Sequence, residues 1–505
     1  MLEIVWETML TSLTWIVGGL SVATLVLLAH IWRQPPDLRF SLTTHSRFSN
    51  WSQAVSSSPS SLLTPSSTAQ VQDIVLSARA SSSRLRVVGG GHSWNASAAT
   101  EDIMVSLDAM DAIIAVHMLP HSPQAQKYAS FPPASAHSAQ AVGYVTVQAG
   151  IRFAVLQQRL AEEHGLGFHC LPSVAYQSAG GLIATGTHSN GPGFQNQSNY
   201  VVEIELVDGR GDVRVISRDP ECEDSAFFDA VRLSLGCLGI VTKVTFELVP
   251  VYNLTKIEGP VEWDWVLENY DDLVANEEFF KLWTFPGTNK TQVSRFVRTP
   301  TSVAPTTGLA TWIETVLLQQ YVVNAVLWVS SWAPSSIGPV MQIITSILGQ
   351  RTTVDRSDKL FNIPVLIRHH ECEIAFPLDR ATEILDDLLT TIEASGLPIN
   401  MPLEIRQVAA DGLWLSNNYE MDALHVTACL YNLDPKPYYD LFEEFALRYG
   451  GRPHWGKYFS HTARDLASLY PRWSDFQDAM DEFDPHGVFG NAWTDRVFNH
   501  QYHHE

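Results

Sequence analysis

The sequence predicts an α+β fold of two domains, preceded by one transmembrane helix. Three features carry this reading. Residues 8–32 contain no Asp, Glu, Lys or Arg. Farther on, short apolar segments over residues 84–88, 144–147, 201–207 and 241–248 read as strands separated by few long helices, an order that suits α+β better than regular βαβ alternation. The first of these strands ends in Gly89-Gly90-Gly91 and continues as His92-Ser93-Trp94-Asn95, a turn suited to close backbone approach.

The N-terminal anchor is expected over residues 1–36. As a helix, residues 8–32 would reach about 37 Å, enough to cross a hydrocarbon core of roughly 30 Å. A cleaved signal peptide is the competing reading, but it calls for a basic start, and this flank carries Glu3 and Glu7. Arg33, Arg39 and Arg47 follow the span and no Lys or Arg precedes it, so the positive-inside rule puts the body on the cytoplasmic side of a single-pass membrane protein. Five N-x-S/T sequons, at Asn50, Asn95, Asn196, Asn253 and Asn289, point instead to a glycoprotein, although Asn95 lies inside the glycine turn.

Past Pro35-Pro36, a Ser- and Pro-rich region over 56–67 leads into a helix over 69–79, where Val71, Ile74, Val75 and Ala78 fall at helical spacing. Residues 121–140, rich in Ser, Ala, Pro and Gln, read as a surface insertion. One domain is expected over 48–252 and a second over 253–505. In the second, 280–286 and 371–377 read as strands and 379–394 as an amphipathic helix. Residues 308–332 are strongly apolar but broken by Glu314, Gln319, Gln320 and Asn324, which disfavours a second span. A core or dimer-facing helix and a surface resting on a membrane both stay open there.

Composition agrees with a large enzyme. With 505 residues and 45% apolar content the chain can bury two ordinary cores, and its 17% charged fraction is low for a disordered protein. A net charge of −22 argues against nucleic-acid partners. Cys170, Cys222, Cys237, Cys372 and Cys429 are odd in number and widely spaced, which suggests neither a disulfide framework nor a metal site.

The glycine turn carries the chemistry. Three glycines after a strand can present main-chain N–H groups to a pyrophosphate, with His92 beside it as a point of attachment for a flavin. A nicotinamide fingerprint would need G-x-G-x-x-G opening a helix, and Asn95-Ala96 occupy the region of the third glycine. Residues 178–191, Ser-Ala-Gly-Gly-Leu-Ile-Ala-Thr-Gly-Thr-His-Ser-Asn-Gly, can lay main-chain groups and hydroxyls along a flat ring. Near the other end stands Arg452-Pro453-His454-Trp455-Gly456-Lys457. With Asn50-Trp51, residues 230–242, Val354-Asp355-Arg356-Ser357, Glu404-Ile405-Arg406 and Phe483-Asp484-Pro485, these motifs resemble the vanillyl-alcohol-oxidase, or PCMH-type, flavoproteins. The resemblance is to the sugar 1,4-lactone oxidases and their alditol-oxidase relatives, and it covers roughly residues 48 to 495.

The resemblance implies a PCMH-type FAD-binding domain followed by a C-terminal substrate, or cap, domain. It implies FAD joined covalently to His92 and surrounded by Gly89, Gly90, Gly91, Ser93, Ser178, Gly180, Gly181, Ile183, Thr187 and His188. Ile240 and Val241 would meet its adenine side and His454 its ring. Oxidising a secondary alcohol moves a hydride to the flavin and removes the hydroxyl proton, so a cation beside the reduced ring stabilises the product. Lys457 holds the family's lysine position. Glu404 and Arg406, two apart, share one face of a strand, and as the family's E-x-R they would grip substrate hydroxyls. Without the motif a surface ion pair would account for them. His425 and Thr427 match the alditol oxidases' H-x-T: His425 would accept the hydroxyl proton, or serve as a core histidine, and Thr427 would bind substrate.

The implied activity is FAD-dependent oxidation of a sugar 1,4-lactone or related polyol, with O2 as acceptor and H2O2 as product. One alternative keeps the flavin chemistry for a non-sugar hydroxylated metabolite or another electron acceptor. Another is a non-catalytic flavin-binding membrane protein, against which Glu404, Arg406 and Lys457 argue. Two departures from the family pattern, His188-Ser189-Asn190-Gly191 for H-G-T-G and Gly456 for the alanine of HWAK, alter the shape of the pocket.

Overall fold

Alternating apolar side chains build two main sheets, and the chain passes from one to the other at residues 250–253. The computed structural model describes residues 41–42, 47–131, 140–306, 321–363 and 365–500. The expected anchor over 8–32 lies outside the described residues, among which no helix is long and apolar enough to cross a membrane.

A short antiparallel sheet of Ser41–Leu42, Phe48–Ser49 and Ser56–Ser57 is followed by a small parallel one. β1 (Ser61–Leu63), β2 (Leu85–Val88) and β3 (Ile103–Ser106) lie in the order β1-β3-β2. Between β1 and β2 runs α1 (Thr68–Ala80), started by the Ser67 side chain, which accepts from the Gln70 N–H, and buried along Val71, Val75 and Ala78. The next sheet contains β4 (Ile113–Met118), β5 (Gly143–Gln148), β6 (Val201–Val207), β7 (Val213–Ser217) and β8 (Ile240–Pro250), in the order β7-β6-β8-β5-β4. A short helix, α2 (Ala179–Ala184), lies within the run of small residues. The expected insertion is in part a helix, Pro123–Ala129, whose Tyr128 packs on Phe131 and Tyr144; residues 132–139 lie outside the described part.

The larger sheet is antiparallel and eight-stranded. It contains β9 (Asn253–Glu262), β10 (Phe279–Phe285), β11 (Lys290–Thr299), β12 (Arg351–Arg356), β13 (His370–Pro377), β14 (Leu403–Val408), β15 (Ala423–Leu430) and β16 (Arg452–Pro453), in the order β12-β9-β11-β10-β14-β15-β13-β16. Its helices are α3 (Trp263–Asn276), α4 (Val323–Trp332), α5 (Ile337–Ser346), α6 (Ala381–Ser395) and α7 (Lys436–Tyr449). Successive side chains on a strand face opposite ways. Leu282, Cys372, Ile374, Phe376, Leu403, Ile405, Val426 and Ala428 therefore form one core with α3, α6 and α7. The other parity gives Lys281, Glu371, Glu373, Glu404, Arg406, His425 and Thr427 to the opposite face.

The chain does not stay in the second unit to its end. Trp455, Phe459, Leu466, Trp473, Phe476, Phe483 and Trp493 return to join Val145, Leu182 and Ile204 in the core of the first. One long strand ends at Pro250 and the next begins at Asn253, while residues 455–498 pack with the N-terminal half. Arg86 fastens the return: its buried guanidinium donates to the carbonyls of Ser97 (2.7 Å), Leu235 (2.7 Å), Gly236 (3.2 Å) and Phe489 (2.7 Å). Asp484 does the same from the other side, accepting from the N–H groups of Val488 and Phe489 at 2.8 Å each. Four of the five sequons, Asn50, Asn95, Asn196 and Asn253, are buried, and only Asn289 is exposed.

Two outcomes follow. Arg86→Leu leaves four carbonyls, three of them in buried bonds, without their donor and lowers stability by about 3 kcal/mol, read as a lowered urea midpoint. Burial raises the Asp484 pKa from its ordinary 3.8 to about 7, so the folded state holds this proton where the unfolded chain releases it. The associated stability is full below the ordinary value and is lost as pH rises toward about 7. Thermal melts across that interval should show wild type losing stability relative to Asp484→Asn as pH increases.

Candidate active site

A cavity of about 1550 Å³ lies between the loops of the first unit and the polar face of the eight-stranded sheet. Its first wall is the glycine turn. A Cβ at Gly89 would stand 2.3 Å from Ser178 Oγ, and one at Gly90 would stand 2.6 Å from the Tyr176 carbonyl oxygen. Glycines thus allow this turn to press against residues 176–178. Ser178 Oγ also accepts from the Gly181 N–H at 3.2 Å and starts α2. On the outer side the Trp51 N–H donates to the Gly91 carbonyl (2.8 Å), and Asn50 Nδ2 donates to that of Ser93 (2.8 Å).

The third motif meets the first. The Trp94 N–H donates to the Gly456 carbonyl at 2.8 Å, and Asn95 Nδ2 donates to the carbonyls of Trp455 (2.6 Å) and Lys457 (2.8 Å). An amide committed in this way is no glycan acceptor. His92 is buried with its ring stacked between Trp51 (5.6 Å) and Tyr176 (6.2 Å), and it lines the cavity. Gly89, Gly90, Gly91, Ser93, Ser178, Gly180, Gly181, Thr187, His188, Val241 and His454 line it as well. The side chains of Ile183 and Ile240 do not, because both point into apolar cores. A glycine-lined turn opening on a cavity of this volume fits a dinucleotide carrying a flat ring system.

Opposite stands a charged cluster assembled by strand register. Glu373 on β13 pairs with Thr427 on β15, which pairs with Glu404 on β14; one step along, His425 pairs with Arg406. Glu373 has no solvent exposure. Its carboxylate lies 2.7 Å from His188 Nε2 and 2.9 Å from His425 Nδ1, and it accepts from Arg406 at 2.9 Å. Burial would raise its pKa, but the Arg406 guanidinium, with a hydrogen bond from His188, holds it well below the ordinary carboxylate value. Arg406 also donates to Thr427 Oγ1 (3.2 Å), with its Nε 3.6 Å from Glu404. Lys281 donates to Glu404 at 3.2 Å.

Lys457 completes the cluster. Its Nζ pairs with Glu371 and lies 3.9 Å above the Trp94 ring. Glu371 also lies 2.5 Å from His369 Nε2, and against the effect of burial Lys457 and His369 lower its pKa to about 2. Two groups, His188-Glu373-His425 and His369-Glu371-Cys429, bring ligand-type atoms within 4.8 Å of one another. In each the carboxylate already faces a cation, Arg406 or Lys457, which weakens the case for a metal ion there.

Glu404, Arg406 and Lys457 thus lie together on the cavity wall. His425 and Thr427 share the sheet face but do not reach the cavity. His425 is fully buried, with Nδ1 on Glu373 and Nε2 2.7 Å from Asn418 Oδ1, so it cannot meet a substrate proton directly. Thr427, 1% exposed, serves as a partner of Arg406 rather than as a substrate ligand. Sequence reasoning missed Glu371, Glu373, Lys281 and His369. The signal was present in Glu371-Cys372-Glu373, the same two-residue spacing that singles out Glu404 and Arg406.

Comparison with known proteins agrees with this geometry. Residues 59–217 match the model of an FAD binding domain, and residues 244–497 match that of D-arabinono-1,4-lactone oxidase. An L-gulono-1,4-lactone dehydrogenase of Mycobacterium tuberculosis is 29% identical over 453 residues, covering 89% of this chain and 98% of the relative. The L-gulonolactone oxidase of Bos taurus is 28% identical, covering 90% and 98%. The D-arabinono-1,4-lactone oxidase of Saccharomyces cerevisiae is 25% identical, covering 85% and 88%. The crystal structure of cholesterol oxidase from B. sterolicum has the same fold, with a TM-score of 0.72 at 16% identity over 92% of this chain and 99% of that one. With the second model spanning half of its 505 residues, the chain belongs to the D-arabinono-1,4-lactone oxidase family of FAD-dependent oxidoreductases.

Proposed function

We propose that the protein oxidises a secondary alcohol of a sugar 1,4-lactone, or of a related polyol, and passes the electrons to O2 with release of H2O2. The observation that carries this is the meeting of Glu404, Arg406 and Lys457 on the wall of the same cavity that the glycine turn lines. Bound FAD supplies the hydride acceptor and returns the two electrons to O2. Arg406 and Glu404 hold the substrate's hydroxyls, and the Lys457 ammonium stabilises negative charge that develops beside it. Glu371, with its pKa lowered to about 2, and Glu373, which the Arg406 guanidinium holds well below the ordinary carboxylate value, are poor proton acceptors. Glu404 is the remaining carboxylate of the cluster and takes the hydroxyl proton, while His425 positions Glu373. His92 carries the flavin covalently. Similarity extends to proteins named oxidase and to one named dehydrogenase, so an acceptor other than O2 is the second reading.

Residues 8–32 anchor this body to a membrane as a single span, with the catalytic part on the cytoplasmic side. The burial of four sequons supports that orientation, since only Asn289 is open to a glycan.

The decisive experiment mixes the purified holoenzyme anaerobically with aldonolactones, alditols and unrelated secondary alcohols. Bleaching of the flavin absorbance by lactones or alditols is expected, with peroxide formed on admitting air. Bleaching by none of them overturns the sugar reading, and bleaching without peroxide shifts the acceptor. Glu404→Gln should lower the bleaching rate at least about 100-fold, and His425→Gln by less. In a separate test, acid-precipitated wild type should stay yellow and His92→Ala should release its flavin to the supernatant; a colourless wild-type pellet overturns the covalent link.

A further inference from the structure

Residues 321–350 contain no Asp, Glu, Lys or Arg, in a chain of which 17% is charged. They form the hairpin of α4 and α5, which covers Phe285, Ile367 and Tyr431 at one end of the large sheet through Leu327, Ile337 and Met341. The polarity of α4 is inverted. Asn324 and Ser330 are buried, at 1% and 0% exposure, while Val329 and Trp332 stand out at 61% and 76%. On α5, Ile343 is exposed at 64%, while Ile347, just after it and 77% exposed, stands at the rim of the cavity. A helix facing water shows the opposite arrangement, and large exposed apolar side chains on adjacent helices, here Val329, Trp332 and Ile343, mark an interaction surface.

We propose that the outer face of the α4–α5 hairpin rests in a lipid bilayer, as a contact separate from the N-terminal segment. Two observations favour lipid over a protein partner, and a third selects the lipid. A protein interface carries a polar, charged rim around its apolar centre, and this hairpin supplies no charge for one. Trp332, at the exposed end of α4, has the amphipathic ring that settles at membrane–water boundaries. The net charge of −22 repels anionic surfaces, so the lipid that fits is zwitterionic and the attraction is apolar. The reading that residues 8–32 anchor the chain adds proximity to a bilayer, but the contact itself stands on the hairpin.

The test uses the full-length, FAD-loaded protein with Cys222→Ser, which removes the one cysteine that is not buried. Single cysteines carrying a bimane label replace Val329, Ile343 or, as a control on α7, Leu447, which is 66% exposed. Each protein is floated with phosphatidylcholine vesicles containing nitroxide-bearing lipids. Labels at 329 and 343 should be quenched several-fold more than the label at 447. A double variant, Val329→Asp with Ile343→Asp, should lose apolar contact: floating without quenching at a label on 347 supports both the hairpin contact and the anchor, and failing to float where wild type floats supports the hairpin and overturns the anchor. Equal quenching at all three positions in floated protein overturns the hairpin contact and leaves the anchor standing. No flotation of wild type overturns both. Flotation that requires phosphatidylserine, or labels at 329 and 343 shielded in a lipid-free dimer, also overturns the proposal.

Discussion

A carboxylate without any exposed surface, Glu373, sets the arrangement around it. Buried alone, such a charge would be strongly unfavourable, and the partners that compensate it come from separate parts of the chain. His188 belongs to the small-residue run of the first unit, His425 and Arg406 to two strands of the large sheet, and Lys457 to the returning C-terminal segment, 4.0 Å away. No one of these segments can satisfy Glu373 without the others. The polar face of the sheet is consequently stable under cover only when the first unit and the return are both docked, which ties assembly of the site to completion of the fold.

The periodicity of the sequence made the sheet faces legible before their depth. Two-residue spacing in 404–406 and 425–427 selects one face in each strand, and both pairs do lie on it. Which side chains reach the cavity depends on length and cross-strand neighbours. Arg406 lies opposite His425, and Glu404 opposite Thr427; the longer arginine and glutamate extend to the wall, and the shorter pair stays behind them. Ile183 and Ile240 illustrate the same limit. Both sit inside motifs that line the cavity, yet an apolar side chain there turns into the core and leaves only backbone near the groove.

Domain limits were legible only where the chain is contiguous. The change of sheet near residue 252 follows from the end of one long strand and the start of another. The return of residues 455–498 to the first core leaves no comparable mark, because their Trp and Phe residues would suit either core. What fixes their destination is polar: Arg86 holding Phe489, and Asn95 holding Trp455 and Lys457. These bonds also explain why Lys457 and His92, 365 positions apart in the sequence, belong to one cavity.

The charge of the cluster constrains what it can bind. Lys281 faces Glu404, Arg406 faces Glu373 and Lys457 faces Glu371, so three cations meet three carboxylates. Burial lowers the pKa values of His188, His425 and His454, the last to about 3, which keeps these rings neutral near physiological pH. The wall is therefore close to electrically balanced within a protein of net charge −22. Within this cluster a ligand's carboxylate would meet no cation that is not already paired, whereas a neutral, hydroxyl-rich ring can exchange hydrogen bonds with Glu404 and Arg406 and leave each ion pair intact. Closing an acid into a lactone removes the charge that this cluster has no unpaired cation to meet and keeps the hydroxyls that Glu404 and Arg406 can grip.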